Sequence, residues 1–163
     1  MREELEKQLQ MYAPKFLGDM YGDVQETCMH WGIECGDGWY LPLRELFTCI
    51  EALNEGRVKD KGVIICDQVK EKFGELCVYW RYVGEDIPGV IEQVDKLIET
   101  FEMVCDCTCE LCGGLYIPRK QRRYGSLCPE CEELRKKYGV WDKKIPKEAE
   151  EKKDPEKGPE KAL

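Results

Sequence analysis

A chain of 163 residues, 42% apolar and 36% charged, is long enough to bury a core without disulfides and predicts one domain with at most a small appendage. Its net charge of −8 is uneven: residues 1–108 hold 11 basic and 22 acidic side chains, residues 109–138 hold 7 and 4, and residues 139–163 hold 7 and 7. Such an acidic body excludes broad binding to a phosphate backbone, and the lack of any apolar run near the roughly 18 residues that span a bilayer excludes a membrane partner.

Residues 3–12 are predicted helical, stopped before Pro14 because the residue preceding a proline avoids helical geometry. The opening segment, Met1 to Lys7, is charged and lacks the apolar stretch of a secretory signal. Cytoplasmic residence is therefore expected. Next comes Trp31-Gly32-Ile33-Glu34-Cys35-Gly36-Asp37-Gly38-Trp39-Tyr40, whose glycines call for tight turns with aromatic side chains packed beside them. A helix over 42–55 is expected from Pro42 in its first turn and from Leu43, Leu46, Phe47 and Ile50 at helical spacing. Residues 63–73 and 76–82 are expected to pair as an antiparallel hairpin around a Gly74-Glu75 turn, with Leu76, Val78, Trp80 and Tyr82 on one face. From Asp86-Ile87-Pro88 a long helix follows, with Val90, Ile91, Val94, Leu97, Ile98, Phe101 and Val104 forming a stripe that should cover the sheet.

Eleven cysteines cannot pair fully within one chain, and in a reducing compartment they are not expected to form a disulfide framework. Four of them have metal-ligand spacing. Cys109-Glu110-Leu111-Cys112 and Cys128-Pro129-Glu130-Cys131 are two Cys-x-x-Cys pairs separated by fifteen residues. A two-residue gap lets a chain reversal aim both sulfurs at one ion, and two such pairs complete a tetrahedral thiolate site. Gly113-Gly114 provides the sharp turn after the first pair. Glu132 to Tyr138 reads as a helix with acidic residues first and basic residues last, as the helix dipole favours. Leu115-Tyr116-Ile117 and Arg123 to Leu127 suit a short hairpin between the pairs. The expected order is that of a treble-clef or ribbon-like module holding one structural Zn2+ per chain. Four thiolates leave no open position for water, so a catalytic metal is not expected. Cys105 and Cys107 are weaker alternative ligands.

Three further sets of residues are candidates. Arg119, Lys120, Arg122 and Arg123 beside Tyr124 could grip phosphates and stack on a base. Glu34 and Asp37, with Lys70, Lys72 and Cys35, could form a polar site, although Gly and Asp are ordinary turn residues. His30 is the single histidine, far from the cysteines in sequence, and reads as a packed or surface residue.

The segments Glu34-Cys35-Gly36-Asp37-Gly38-Trp39-Tyr40 and Gln68-Val69-Lys70-Glu71-Lys72-Phe73-Gly74-Glu75-Leu76, followed by Cys-x-x-Cys-Gly after an apolar helix, resemble a family of small uncharacterised proteins encoded by bacteriophages and prophages. The resemblance covers about residues 14–132. It implies a phage context, with the host-cell cytoplasm as location, and no particular chemistry.

The expected architecture is an acidic α+β domain over 1–104, with an antiparallel hairpin or sheet packed by amphipathic helices. A zinc module follows over 105–139, then a charged tail over 140–163 too poor in apolar residues to fold, with Trp141 as an exception able to dock on the body. The leading functional expectation is a non-enzymatic zinc-binding accessory protein that binds a host or phage macromolecule, for example as an inhibitor of a nucleic-acid-handling or defence system. A protein partner is expected. A nucleic-acid-binding regulator using the basic hairpin, or an enzyme using Glu34 and Asp37, remain alternatives.

Overall fold

The computed structural model describes residues 1–18, 20–25, 27–118 and 126–138. Two helices, α1 (Glu3–Tyr12) and α2 (Pro14–Leu17), open the chain and meet at the proline that ends the first and starts the second. One-turn 3-10 helices at Cys28–Trp31 and Asp37–Trp39 flank a two-residue strand, β1 (Ile33–Glu34). Then come α3 (Tyr40–Glu55), β2 (Gly62–Lys72), β3 (Glu75–Gly84), α4 (Val90–Asp106) and α5 (Pro129–Tyr138).

The architecture is α+β, built on a three-stranded mixed sheet in the order β1-β2-β3. The expected antiparallel hairpin is present as β2 and β3, and β1 adds a parallel edge through Ile33 opposite Val69 and Glu34 opposite Lys70. Lys72 pairs with Glu75, so the hairpin turn is Phe73-Gly74, one residue earlier than the expected Gly74-Glu75. Both turn residues have positive φ, 56° and 89°. That is the signature of a two-residue turn whose twist matches the strands. A register shift between Cys66 and Gln68 marks a bulge in β2.

The core gathers Leu9, Phe16, Met29, Ile33, Trp39, Leu43, Phe47, Ile50, Ile64, Val94 and Ile98, all buried. Val78, Trp80 and Tyr82 pack against it from the expected face of β3. The α4 stripe is narrower than its sequence implies. Val90, Val94 and Ile98 are buried, but Ile91 and Val104 are exposed. Ile91 is one residue, or about 100°, off the stripe axis. Val104 faces a groove beside the cysteine segment.

Buried polar groups tie these layers together. The Glu51 carboxylate accepts the N–H groups of Lys15 (3.1 Å) and Phe16 (2.9 Å), capping the start of α2 from α3. The Asn54 side chain both donates to the Ile64 carbonyl (3.0 Å) and accepts the Ile64 N–H (2.8 Å), fastening α3 to β2. Glu6 accepts the Ile33 N–H at 2.8 Å and the hydroxyl of Tyr21, anchoring α1 to β1. Among the described residues no helix is long and apolar enough to cross a membrane.

Candidate metal centre

The first cysteine pair sits in a tight loop. The Cys109 N–H donates to the Gly114 carbonyl and the Gly113 N–H to the Cys109 carbonyl, each at 2.8 Å. Gly113 has φ +72°, a conformation that favours glycine. Gly114 then points its N–H at the Cys112 sulfur, 3.4 Å away. Amide donors aimed at thiolates are the usual outer support of a metal-sulfur site. The second pair is presented by α5, which begins at Pro129, three residues before the expected start. Proline suits this first position because its missing N–H has no helical partner there.

The two pairs meet. The Cys109, Cys112, Cys128 and Cys131 sulfurs all lie within 4.8 Å of one another and could hold a metal ion. The Cys112 and Cys128 sulfurs are 3.9 Å apart. A tetrahedron with metal–sulfur bonds of about 2.3 Å has edges of about 3.8 Å, so the cluster is close to ligand geometry. Cys109, Cys128 and Cys131 are buried and Cys112 is exposed. The three buried cysteines form a small apolar cluster of their own with Leu111, Tyr116 and Leu127. Burial pushes the Cys131 thiol up, and the adjacent Cys109, Cys128 and Cys112 sulfurs push it further. A divalent cation among them would relieve that crowding of negative charge and draw the protons off.

Cys105, on the last turn of α4, is buried in the main core with its thiol pushed up to about 12 by burial and then by Asp106, Glu102 and Glu110. Cys107 is exposed. Neither belongs to the four-sulfur group.

The expected polar set is only partly assembled. Glu34 and Lys70 are register partners on β1 and β2 and are bridged by Gln68, which donates to Glu34 at 3.0 Å and accepts from Lys70 at 2.8 Å. Lys70 also lies over the Tyr79 ring, and Lys72 over the Phe73 ring. Asp37 stands apart: it accepts the Arg2 N–H at 2.8 Å and pairs with the Arg2 guanidinium at 2.5 Å. Cys35 is buried in the core. The His30 ring meets the Gly22 carbonyl through Nδ1 at 2.6 Å and sits edge-on to Trp31. Arg119, Lys120, Arg122, Arg123 and Tyr124, the basic set, lie outside the described residues, as do most of the expected hairpin between the pairs and the whole of the tail from 139, Trp141 included. Leu115 forms one antiparallel bridge, with Thr108.

Sequence reasoning missed what the cysteine loop rests on. The Gly38 N–H donates to the Glu110 carbonyl (2.8 Å), the Gly36 N–H to the Glu110 carboxylate (2.7 Å), and the Trp39 indole N–H to the Thr108 carbonyl (2.9 Å). Beside this contact runs a groove of about 610 Å3 whose walls include Leu41, Phe101, Val104 and Leu115, with Asp37 and Glu45 among its polar residues. Leu41 is 57% exposed and Leu115 82% exposed, so its walls present apolar surface to solvent. Comparison of the chain with protein-family models, with curated proteins and with solved structures returned no match.

Proposed function

We propose that this protein is a non-enzymatic, zinc-stabilised accessory protein, phage- or prophage-encoded, that works by binding another protein. The four-sulfur cluster carries this reading. Four cysteines that close a coordination sphere suit a structural Zn2+ and leave no position for a reacting water. A tight cysteine loop followed by a helix that presents the second pair is the ligand order of a treble clef. The motif resemblance supports the phage context.

The exposed apolar groove beside the cluster supports a protein partner. The groove borders a body that holds twice as many acidic as basic residues over 1–108. A partner segment with an apolar anchor and basic flanks complements both features. Proteins that handle nucleic acids carry such basic surfaces, which fits an inhibitor of a host nucleic-acid-handling or defence system.

Affinity capture from producing bacterial cells tests this with two variants. Leu41→Glu with Leu115→Glu should lose the captured basic protein, while charge reversal of Arg119, Lys120, Arg122 and Arg123 should retain it. Nucleic acid bound by the wild type and released by the charge-reversed variant would favour the basic set as a nucleic-acid contact and overturn the protein-partner reading.

A further inference from the structure

The three motifs that stand far apart in sequence meet at one place. Glu110 lies between the ligands Cys109 and Cys112, and it is 8% exposed. It takes the Gly36 N–H on its carboxylate and the Gly38 N–H on its carbonyl. Thr108, immediately before Cys109, takes the indole N–H of fully buried Trp39. The fit at the two glycines is one of backbone against backbone. A Cβ on Gly36 would stand 2.2 Å from the Glu110 carbonyl oxygen, and one on Gly38 would stand 2.2 Å from the Cys109 carbonyl oxygen and 2.5 Å from the Gly113 nitrogen. No side chain can swing away to relieve such contacts.

The second cysteine segment is held too. The Glu110 N–H donates to the Ser126 carbonyl at 2.7 Å. Ser126, two residues before Cys128 and wholly buried, donates its hydroxyl to the carbonyl of Gly74 in the β2–β3 turn. The body therefore grips the segment before each cysteine pair, with Glu110 linking the two grips.

We propose that the Gly36-Asp37-Gly38-Trp39 turn and the Phe73-Gly74 turn are the body's half of the metal centre: positioning residues that hold the two cysteine pairs at ligand spacing and set the affinity for zinc. This rests on the reading of the cluster as a zinc site. A free cysteine loop must be ordered when the ion binds, and that ordering subtracts from affinity. Here the body's contacts hold the loop near its ligand geometry, so less ordering is left for the ion to impose. By linkage the effect is reciprocal, so zinc must also stabilise the contact between the loop and the Gly36–Trp39 turn.

The test uses the full-length chain, competition for zinc against a chromophoric chelator, and the Trp39 indole N–H resonance. Gly38→Ala should weaken zinc binding by about ten- to a hundredfold, the range found when outer support of a metal site is lost. Ser126→Ala, which leaves the body contact at Gly38 intact, should weaken it by about tenfold at the lower end of that range. Cobalt-loaded variants should keep the four-thiolate charge-transfer spectrum, showing that the ligands themselves are unchanged. The Trp39 indole N–H should gain exchange protection when zinc is added to the wild type. If both variants bind zinc within twofold of the wild type and the indole signal ignores zinc, the positioning role is wrong and the zinc site stands. If the wild type binds no zinc, both fall.

Discussion

At the scale of single residues, the buried polar side chains carry more weight than the surface ion pairs. Asn54 satisfies both backbone groups of Ile64 within the core. Asn54→Ala should cost about 2–3 kcal/mol, measured by urea unfolding, because it strands a buried donor and a buried acceptor together. Glu102 behaves in the opposite way. Partial burial and then Glu75, Glu99 and Asp106 raise its pKa. A carboxyl raised by folding favours the folded state only while protonated, and that contribution is lost as pH rises through the folded value. Glu102→Gln should therefore stabilise the protein at neutral pH by an amount on the order of 0.5 kcal/mol, as for like-charge pairs on a helix, read as a raised melting temperature. The gain should vanish below the ordinary carboxylate range, where Glu102 is neutral in both states. The sequence made the four clustered cysteines plain, since their spacing is a property of the loop itself. It concealed Glu110, Thr108 and Ser126, because their partners are more than fifty residues away and no local pattern marks a carboxylate that receives amides from another turn.

At the scale of elements, periodicity was a good guide where an element buries one face. Helices α3 and α4 and the β2–β3 hairpin are visible in their apolar spacing, and α1 in the proline that stops it, and their ends fall within a few residues of those expected. Strand β1 is two residues long and carries no period, so only its pairing with Val69 and Lys70 reveals it. The hairpin turn escapes the sequence pattern because a phenylalanine is an unusual residue at positive φ. Phe73 is also 83% exposed, so it contributes little burial in return. Phe73→Asn should stabilise the protein by about 1 kcal/mol, the usual cost of left-handed geometry for a residue with a bulky side chain. Thermal unfolding checks this, and a fall in melting temperature would mean that the Lys72–Phe73 contact outweighs the strain. The Gly36-Asp37-Gly38 segment was legible as a turn. Its second property, a bare backbone surface on which another backbone lies, needs the cysteine loop to be seen.

At the scale of the whole molecule, the cysteine segment and the α+β body are joined by hydrogen bonds at two separate turns. The segment's own apolar cluster is small, three cysteines with Leu111, Tyr116 and Leu127 around them. So little core cannot order a loop on its own. Metal binding to such sites is worth about 10–16 kcal/mol, as much as the whole stability of an ordinary domain. An ion bound there would be the dominant stabilising element of this part of the protein, and the groove beside it is shaped by residues from both sides, Leu41 and Val104 from the body and Leu115 from the cysteine segment. The most direct measurement is native mass spectrometry of the full-length protein with and without chelator, paired with elemental analysis. The account predicts one zinc per chain, lost in a Cys109→Ser, Cys128→Ser double variant, with the cysteine segment losing amide protection when the metal is stripped. A folded wild type that carries no zinc and keeps that protection would contradict it.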